Sequence, residues 1–161
     1  MNATEVKVVV TGVDWMGSGV GSIESAMRQL FYDAKQEILL TVYTITNGAD
    51  MLFDWLELAL SHGVEIKLVI NRLDDHTTEV INRLSRLEKS YPHLTIYNFK
   101  SDDFIDLHAK LIIVDRQKAI VGSSNLSRRG LLTNFELALI VEGIIATEIA
   151  SIVDRLIGVL A

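Results

Sequence analysis

The side chains of this sequence that could do chemistry are concentrated in one stretch. It runs Leu107-His108-Ala109-Lys110-Leu111-Ile112-Ile113-Val114-Asp115, and Gly122-Ser123-Ser124-Asn125 follows. Side chains alternate between the two faces of a strand, so His108 and Lys110 share a face. Ser123 and Asn125 repeat that spacing on the next segment. A hairpin closed through Arg116-Gln117, or by a four-residue loop, pairs His108 with Asn125 and Lys110 with Ser123, although Arg-Gln is not a favoured tight-turn pair. Four polar groups then meet at one end of an apolar hairpin, and Gly122 leaves room for a backbone or a ligand to come close. A neutral imidazole in such a cluster can attack phosphorus and form a phosphohistidine. Lys110 supplies a point charge for phosphoryl oxygens. Asn125 and Ser123 supply donors for the charge that develops in the transition state. Such a site takes its cations and donors from side chains, so neither a metal nor another cofactor is expected.

Taken singly, these residues have ordinary explanations. A strand histidine is commonly a hydrogen-bonded core residue, and a strand lysine commonly protects a sheet edge. Here both lie between apolar neighbours in a strand that reads as fully buried, where a lysine without a purpose is costly. The joint pattern points to function.

The elements that must position this cluster read as strands alternating with helices. Val6–Thr11 is expected as a strand, then a mobile glycine-rich connector (Gly12, Gly17, Gly19, Gly21), then a helix capped by Ser22. That connector has neither a P-loop ending nor dinucleotide-binding spacing. Glu37–Ile45 and Val64–Ile70 read as strands around an Ala49–Ser61 helix, which Gly63 terminates. A helix over Asp75–Ser90 is closed off by Pro92. Leu94–Phe99, Leu107–Val114, Ala119–Val121 and Asn134–Val141 are further strands, and Ile144–Leu160 is a last helix. The prediction is an α/β fold in a single domain over residues 1–161, with a mixed, mostly parallel sheet flanked by helices.

Composition narrows the partners. The chain has 161 residues, a formal net charge of −6 and no cysteine. The acidic balance argues against a binder driven by overall charge, and the lack of cysteine excludes disulfides and thiolate metal sites. The N-terminus lacks the pattern of a secretory signal, so a cytoplasmic location is expected. The last helix is apolar, but Glu148, Asp154 and Arg155 interrupt it; it reads as a docked or subunit-interface helix rather than a membrane span.

His-x-Lys-x-x-x-x-Asp followed by Gly-Ser-x-Asn resembles the HKD motif of the phospholipase D superfamily, and Asn134-Phe135-Glu136 resembles that family's Asn-x-Glu element. Ser22-Ile23-Glu24, the strand ending Thr41-Val42-Tyr43, and His62-Gly63-Val64 are similar to the family's N-terminal half. The resemblance implies a phospholipase D-like α/β sandwich. It makes His108 the nucleophile, Lys110 and Asn125 phosphate ligands with Ser123 in support, and Glu136 an acceptor that orients the His108 ring. Asp115 belongs to the motif but faces away from His108; it reads as structural, fixing the turn with Arg116 or Lys118.

Family members generally carry two such motifs, one histidine attacking and the other protonating the leaving group. This chain has one, and His62, His76 and His93 lack the surrounding pattern and read as surface residues. The second His108 is therefore expected from another copy across a two-fold homodimer interface. The paired imidazoles must then hold different protonation states. Short single-motif members resemble the family's small endonucleases. Arg128 and Arg129, with Lys100 and Lys118, could track a phosphate backbone, whereas Asp102, Asp103 and Asp106 would repel one. A nuclease for DNA or RNA is the first expectation, without a membrane partner. A phospholipase or phosphatidyl transferase, or a dimerising nucleic-acid-binding module of a larger restriction or defence system, are the alternatives.

Overall fold

The computed structural model describes residues 3–17 and 19–161; Ser18 of the glycine-rich connector lies outside them. In chain order the elements are β1 (Glu5–Thr11), β2 (Gly21–Ser22), α1 (Ile23–Asp33), β3 (Glu37–Val42), α2 (Asp50–Ser61) and β4 (Glu65–Asn71). A 3-10 turn (Leu73–Asp75), α3 (Thr78–Ser90), β5 (Leu94–Phe99), β6 (Leu111–Val114) and β7 (Lys118–Gly122) follow. The chain ends with α4 (Arg128–Leu132), β8 (Glu136–Glu142) and α5 (Ile144–Leu160). Hydroxyl caps start three of the helices: Ser22 accepts from Ser25 N–H, Thr77 from Val80 N–H and Ser127 from Gly130 N–H.

All eight strands form one sheet in the order β2-β1-β8-β7-β6-β3-β4-β5. Crossover helices make β3, β4 and β5 parallel, whereas β6, β7 and β8 run antiparallel to their neighbours. The mixed α/β sandwich stands, but antiparallel pairings outnumber parallel ones. The reason is local: β6 and β7 form a hairpin, and the segment holding α4 stays at one end of the sheet, so β8 returns antiparallel beside β7.

Both faces of the central strands are apolar, as their unbroken apolar runs require. Ile38, Leu40, Ile66, Leu68, Ile112 and Ile120 point to the face covered by α1, α2 and α3, where they meet Met27, Phe31, Leu56 and Leu84. Leu39, Val69, Ile113 and Ala119 point to the other face, where Ala146, Ala150 and Val153 dock α5. Each fully buried large aliphatic side chain contributes about 1.5–3 kcal/mol of burial free energy. No helix among the described residues is long and apolar enough to cross a membrane.

Several boundaries differ from the sequence expectation: β6 starts at Leu111 rather than Leu107, so His108 and Lys110 precede the strand, and three further differences have a tertiary reason. β3 stops at Val42, and Ile45 instead bridges Leu126 in the loop after β7. Asp75–Ser90 divides into the 3-10 turn and α3, because Thr77 caps the helix. The hairpin closes through three residues, Asp115–Gln117, with Asp115 and Arg116 at positive φ (50° and 57°). Asp tolerates that conformation better than most residues. In it the Asp115 carboxylate accepts three backbone N–H bonds, from Lys35 (3.0 Å), Gln36 (2.8 Å) and Glu37 (2.9 Å). So Asp115 is structural but clamps the α1–β3 connection, not Arg116 or Lys118. The odd loop also shifts the pairing by one residue: Leu111 lies opposite Val121, and Gly122 N–H donates to Lys110 C=O.

Candidate active site

The expected site residues lie at the end of the sheet where β1, β3, β4 and β7 finish and β6 and β8 begin. Open α/β sheets carry their ligand sites beyond the carboxyl ends of the parallel strands. His108 sits just before β6, exposed rather than buried. Its segment is held from both sides. Leu107 N–H donates to the buried Asn71 amide oxygen (2.8 Å), and Thr41 Oγ1 donates to Ala109 C=O (2.9 Å). Asn71 Nδ2 (3.2 Å) and Arg72 Nε (2.7 Å) both bind Asp106 Oδ1. The Arg72 hydrogen bond, aided by Asn71, holds the Asp106 carboxyl below the usual carboxylate range. The His108 ring lies 4.5 Å from the Tyr43 ring, centroid to centroid.

Lys110 Nζ is 3.3 Å from His108 Nδ1 and donates to His108 C=O (2.9 Å). Partial burial pushes the Lys110 ammonium down from the usual lysine range, and the Glu136 charge opposes that shift. Lys110, Ser124 and Asn125 line one small cavity of about 20 Å³ with Thr41, Tyr43 and Gly122. The Asn125 side-chain oxygen is buried there without a hydrogen-bond partner among the described residues, an arrangement that calls for an explanation. Gly122 is required by a backbone neighbour rather than a ligand: a Cβ there would stand 2.5 Å from Ala138 Cβ.

Ser123 does not face Lys110. The shifted register turns it toward β8, where its hydroxyl donates to Glu136 and accepts from Leu137 N–H, and its own N–H donates to Leu137 C=O. Ser124 takes the position beside Lys110. Glu136 also accepts from Asn134 Nδ2 (3.5 Å), and the described contacts include no hydrogen bond from Glu136 to His108 of the same chain.

Comparison with known proteins gives the family. The family model described as "Cardiolipin synthase, PLD-like domain" matches residues 27–157, most of the chain and all the residues above. The chain belongs to the phospholipase D-like phosphodiesterase superfamily. DISARM protein DrmC of Bacillus paralicheniformis is 32% identical over 121 residues, covering 74% of this chain and 49% of DrmC. Cardiolipin synthase A of Buchnera aphidicola subsp. Acyrthosiphon pisum is 27% identical over 138 residues, covering 85% of this chain and 27% of that protein. This chain thus spans about half the length of the first and about a quarter of the second. The crystal structure of the phospholipase D family member Nuc from Salmonella typhimurium matches with a TM-score of 0.76 at 21% identity. That match covers 95% of this chain and 93% of Nuc, and at that identity the likeness is one of fold.

Within this phospholipase D-like domain the charged flanks differ from expectation. Arg128 and Arg129 open α4, exposed and without an ion pair among the described residues; Arg128 packs against Gly48. Gly48 lines a groove of about 700 Å³ beside Tyr43, together with Asn47, Arg72, His76 and Asp106. Lys118 lies at the opposite end of the sheet, paired with Glu142 (2.7 Å), and Lys100 pairs with Asp74 (3.4 Å), so neither extends the patch. Asp106 is paired with Arg72, leaving Asp102 and Asp103 as the acids of that loop without an ion pair among the described residues.

The other histidines are mostly not surface residues. His62 is exposed at the end of α2. His76 is half-buried, its Nε2 accepting from Ile45 N–H (3.2 Å) and its Nδ1 facing Arg72 C=O (3.2 Å). His93 Nε2 donates to Leu60 C=O (2.9 Å). His76 borders the groove, but both its ring nitrogens are engaged by backbone.

Proposed function

We propose that this domain is a metal-independent phosphodiesterase, a nuclease of DNA or RNA, that works as a homodimer through a phosphohistidine on His108. The observation that carries the reading is the setting of His108: one exposed imidazole beside a partly desolvated lysine, with the Asn125 amide lining the same small cavity as that lysine.

Lys110 contacts Nδ1, which leaves Nε2 as the outward, attacking nitrogen. An incoming phosphodiester draws the Lys110 ammonium onto its non-bridging oxygens. Nδ1 is then free to carry the proton that a nucleophilic Nε2 requires, with Glu136 as the acceptor that fixes this tautomer. Nε2 attacks phosphorus, a P–N bond forms, and the bond to the leaving oxygen breaks. The leaving oxygen takes a proton from the imidazolium of the partner's His108, which has the role His76 cannot fill. Water then attacks phosphorus, the P–N bond breaks, and the now neutral ring of the partner's His108 accepts the water's proton. Lys110 and the Asn125 amide N–H hold the charge that grows on the phosphoryl oxygens, while Ser123 keeps Glu136 in place.

A nucleic-acid substrate is supported by the resemblance to small single-motif members and by Arg128, which packs against Gly48 of the groove and, like its neighbour Arg129, has no ion pair among the described residues. A cytoplasmic location goes with it. A second reading, phosphatidyl hydrolysis or transfer, is favoured by Phe104 and Ile105, apolar and exposed on the loop leading into His108. Incubation with single- and double-stranded DNA, RNA and phosphatidyl vesicles, all in EDTA, separates these. Nucleic-acid cleavage that survives EDTA and vanishes in His108→Ala is expected. Lipid turnover alone would overturn the nuclease reading, and binding without turnover would replace both with a binding module.

A further inference from the structure

β3 ends at Val42, yet the residues just beyond it touch or adjoin each group assigned to phosphate chemistry. The Tyr43 ring lies 4.5 Å from the His108 ring, and Lys110 Nζ stands 5.4 Å from the Tyr43 ring centroid. Two residues on, Ile45 bridges Leu126, the neighbour of Asn125. The segment Tyr43–Ile45 is therefore one wall of the site, and a single isolated bridge is a weak hold on a segment that has left the ladder.

A tether reaches it from the far side of the groove. His76 Nε2 is 3.2 Å from Ile45 N–H, and Nδ1 is 3.2 Å from Arg72 C=O. A backbone N–H can only donate and a C=O only accept, so the two contacts decide the state of the ring. Nε2 carries the lone pair, Nδ1 carries the proton, and the ring is neutral. Thr77 adds a second link, its hydroxyl donating to Asn47 Oδ1. The anchor itself is held firmly. Arg72 adopts a left-handed conformation (φ 44°, ψ 60°), which is uncommon outside glycine and a few polar residues. Its N–H donates to Phe99 C=O (2.8 Å), its C=O also accepts from Asp75 N–H (2.9 Å), and its Nε binds Asp106. Strained residues fixed this thoroughly cluster at functional sites. From this one point both sides of His108 are placed: Asp106 directly, and Tyr43–Ile45 through His76.

We propose that His76 is a positioning residue: its neutral ring holds the Tyr43–Ile45 wall against His108, Lys110 and Asn125, and the wall is released when the ring gains a second proton. This role presupposes His108 as the nucleophile. A proton on Nε2 would face Ile45 N–H donor to donor, and that buried residue would lose its acceptor. The groups around the ring do not replace it. Tyr43, Arg72, Asp75 and Asp106 share its groove, with Arg72 and Asp106 paired to each other. Asp74 turns to Asn98 and Lys100, and Glu79 lies with Arg83 and Arg86 on the outside of α3. Among the described residues, none of these side chains bonds either ring nitrogen.

Two variants of the full chain, assayed on a fluorogenic oligonucleotide, test the role. His76→Ala should lower kcat by about tenfold or more, the scale expected for a misplaced catalytic group, with KM little changed. His76→Gln can offer an amide oxygen to Ile45 N–H but cannot take up the proton. It should keep kcat near that of the wild type at neutral pH and lose activity less steeply below about pH 6. A histidine that only supports the fold would lower the thermal midpoint in both variants and leave the pH profile unchanged. A second readout needs no turnover. In the His108→Ala chain, the Ile45 amide and Tyr43 ring resonances should move with the His76 ring resonances in an NMR pH titration, and should stay still once His76→Gln is added. Wild-type kcat in His76→Ala, an unaltered acid limb in His76→Gln, or an Ile45 amide that ignores the ring overturns the proposal. If His76→Ala does not fold, His76→Gln and the titration decide. A wild-type chain that cleaves no oligonucleotide would sink the nuclease reading instead, and the titration would still settle the tether.

Discussion

The two ends of β6 carry the two halves of one motif and treat their polar groups in opposite ways. At the far end Asp115 and Arg116 are fully matched. Asp115 accepts three backbone N–H bonds, and Arg116 binds Glu37 and, at 2.5 and 3.1 Å, Asp154 of α5. At the near end His108 is exposed, the Lys110 ammonium is partly desolvated, and the Asn125 amide oxygen has no partner among the described residues. The same strand thus spends its far-end polar residues on stability and leaves its near-end ones under-satisfied. Under-satisfied polar groups at a strand end are the mark of a site prepared for charge that arrives with a ligand.

Substitutions at each end should therefore separate activity from stability, and the largest effect belongs to the near end. His108→Ala should lower phosphodiesterase turnover by roughly a thousandfold or more, since it removes the nucleophile, while the thermal midpoint changes little. A large fall in midpoint would erase the contrast. Asp115→Ala should do the reverse. Losing a carboxylate that satisfies three N–H groups costs about 2–4 kcal/mol, or roughly 5–15 °C in midpoint for a chain of this size. Turnover of the fraction still folded should stay near that of the wild type. Asn125→Ala should reduce kcat/KM by roughly ten- to a hundredfold without loss of stability, because the buried oxygen it removes has no partner to lose.

The smallest expected effect concerns pH. Hydrogen bonding by Arg116 holds the Asp154 carboxyl below the usual carboxylate range. A depressed folded pKa gives stability that is present above the unfolded carboxylate value and lost as pH falls through the folded one. Arg116→Ala should be less stable than the wild type at neutral pH, by about 1 kcal/mol for a partly exposed network. The gap should narrow in thermal melts taken from pH 5 downward. A gap that stays constant or widens in acid would remove Arg116 from the account.

Much of this contrast was legible in the sequence, and the parts that were not share a cause. Leu94–Phe99 is a strand residue for residue, and Ser22 caps α1, because each is decided by local pattern. His108, Lys110 and Asn125 do lie at one end of the sheet, although all three fall in the segments flanking β6 and β7 rather than in the strands. The register does not follow from local pattern. It depends on a three-residue turn whose Asp115 is anchored on Lys35–Glu37, far away in the chain. That one-residue shift exchanges Ser123 for Ser124 beside Lys110 and sends Ser123 to Glu136. The short α4 was also hidden, since Arg128–Leu132 is too brief to show a helical period. Only Gly130 hints at it, where a Cβ would stand 2.4 Å from Asn125 C=O. Asn71 and Tyr43, which fix and flank His108, read in sequence only as strand ends.

The central claim is that His108 acts in a pair drawn from two copies of the chain. The direct measurement is the activity of purified mixed dimers in which one subunit carries His108→Ala and the other is wild type. The account predicts almost no turnover from the mixed dimer, because one imidazole must attack while the other protonates the leaving group. Activity near half that of the wild-type dimer would contradict it.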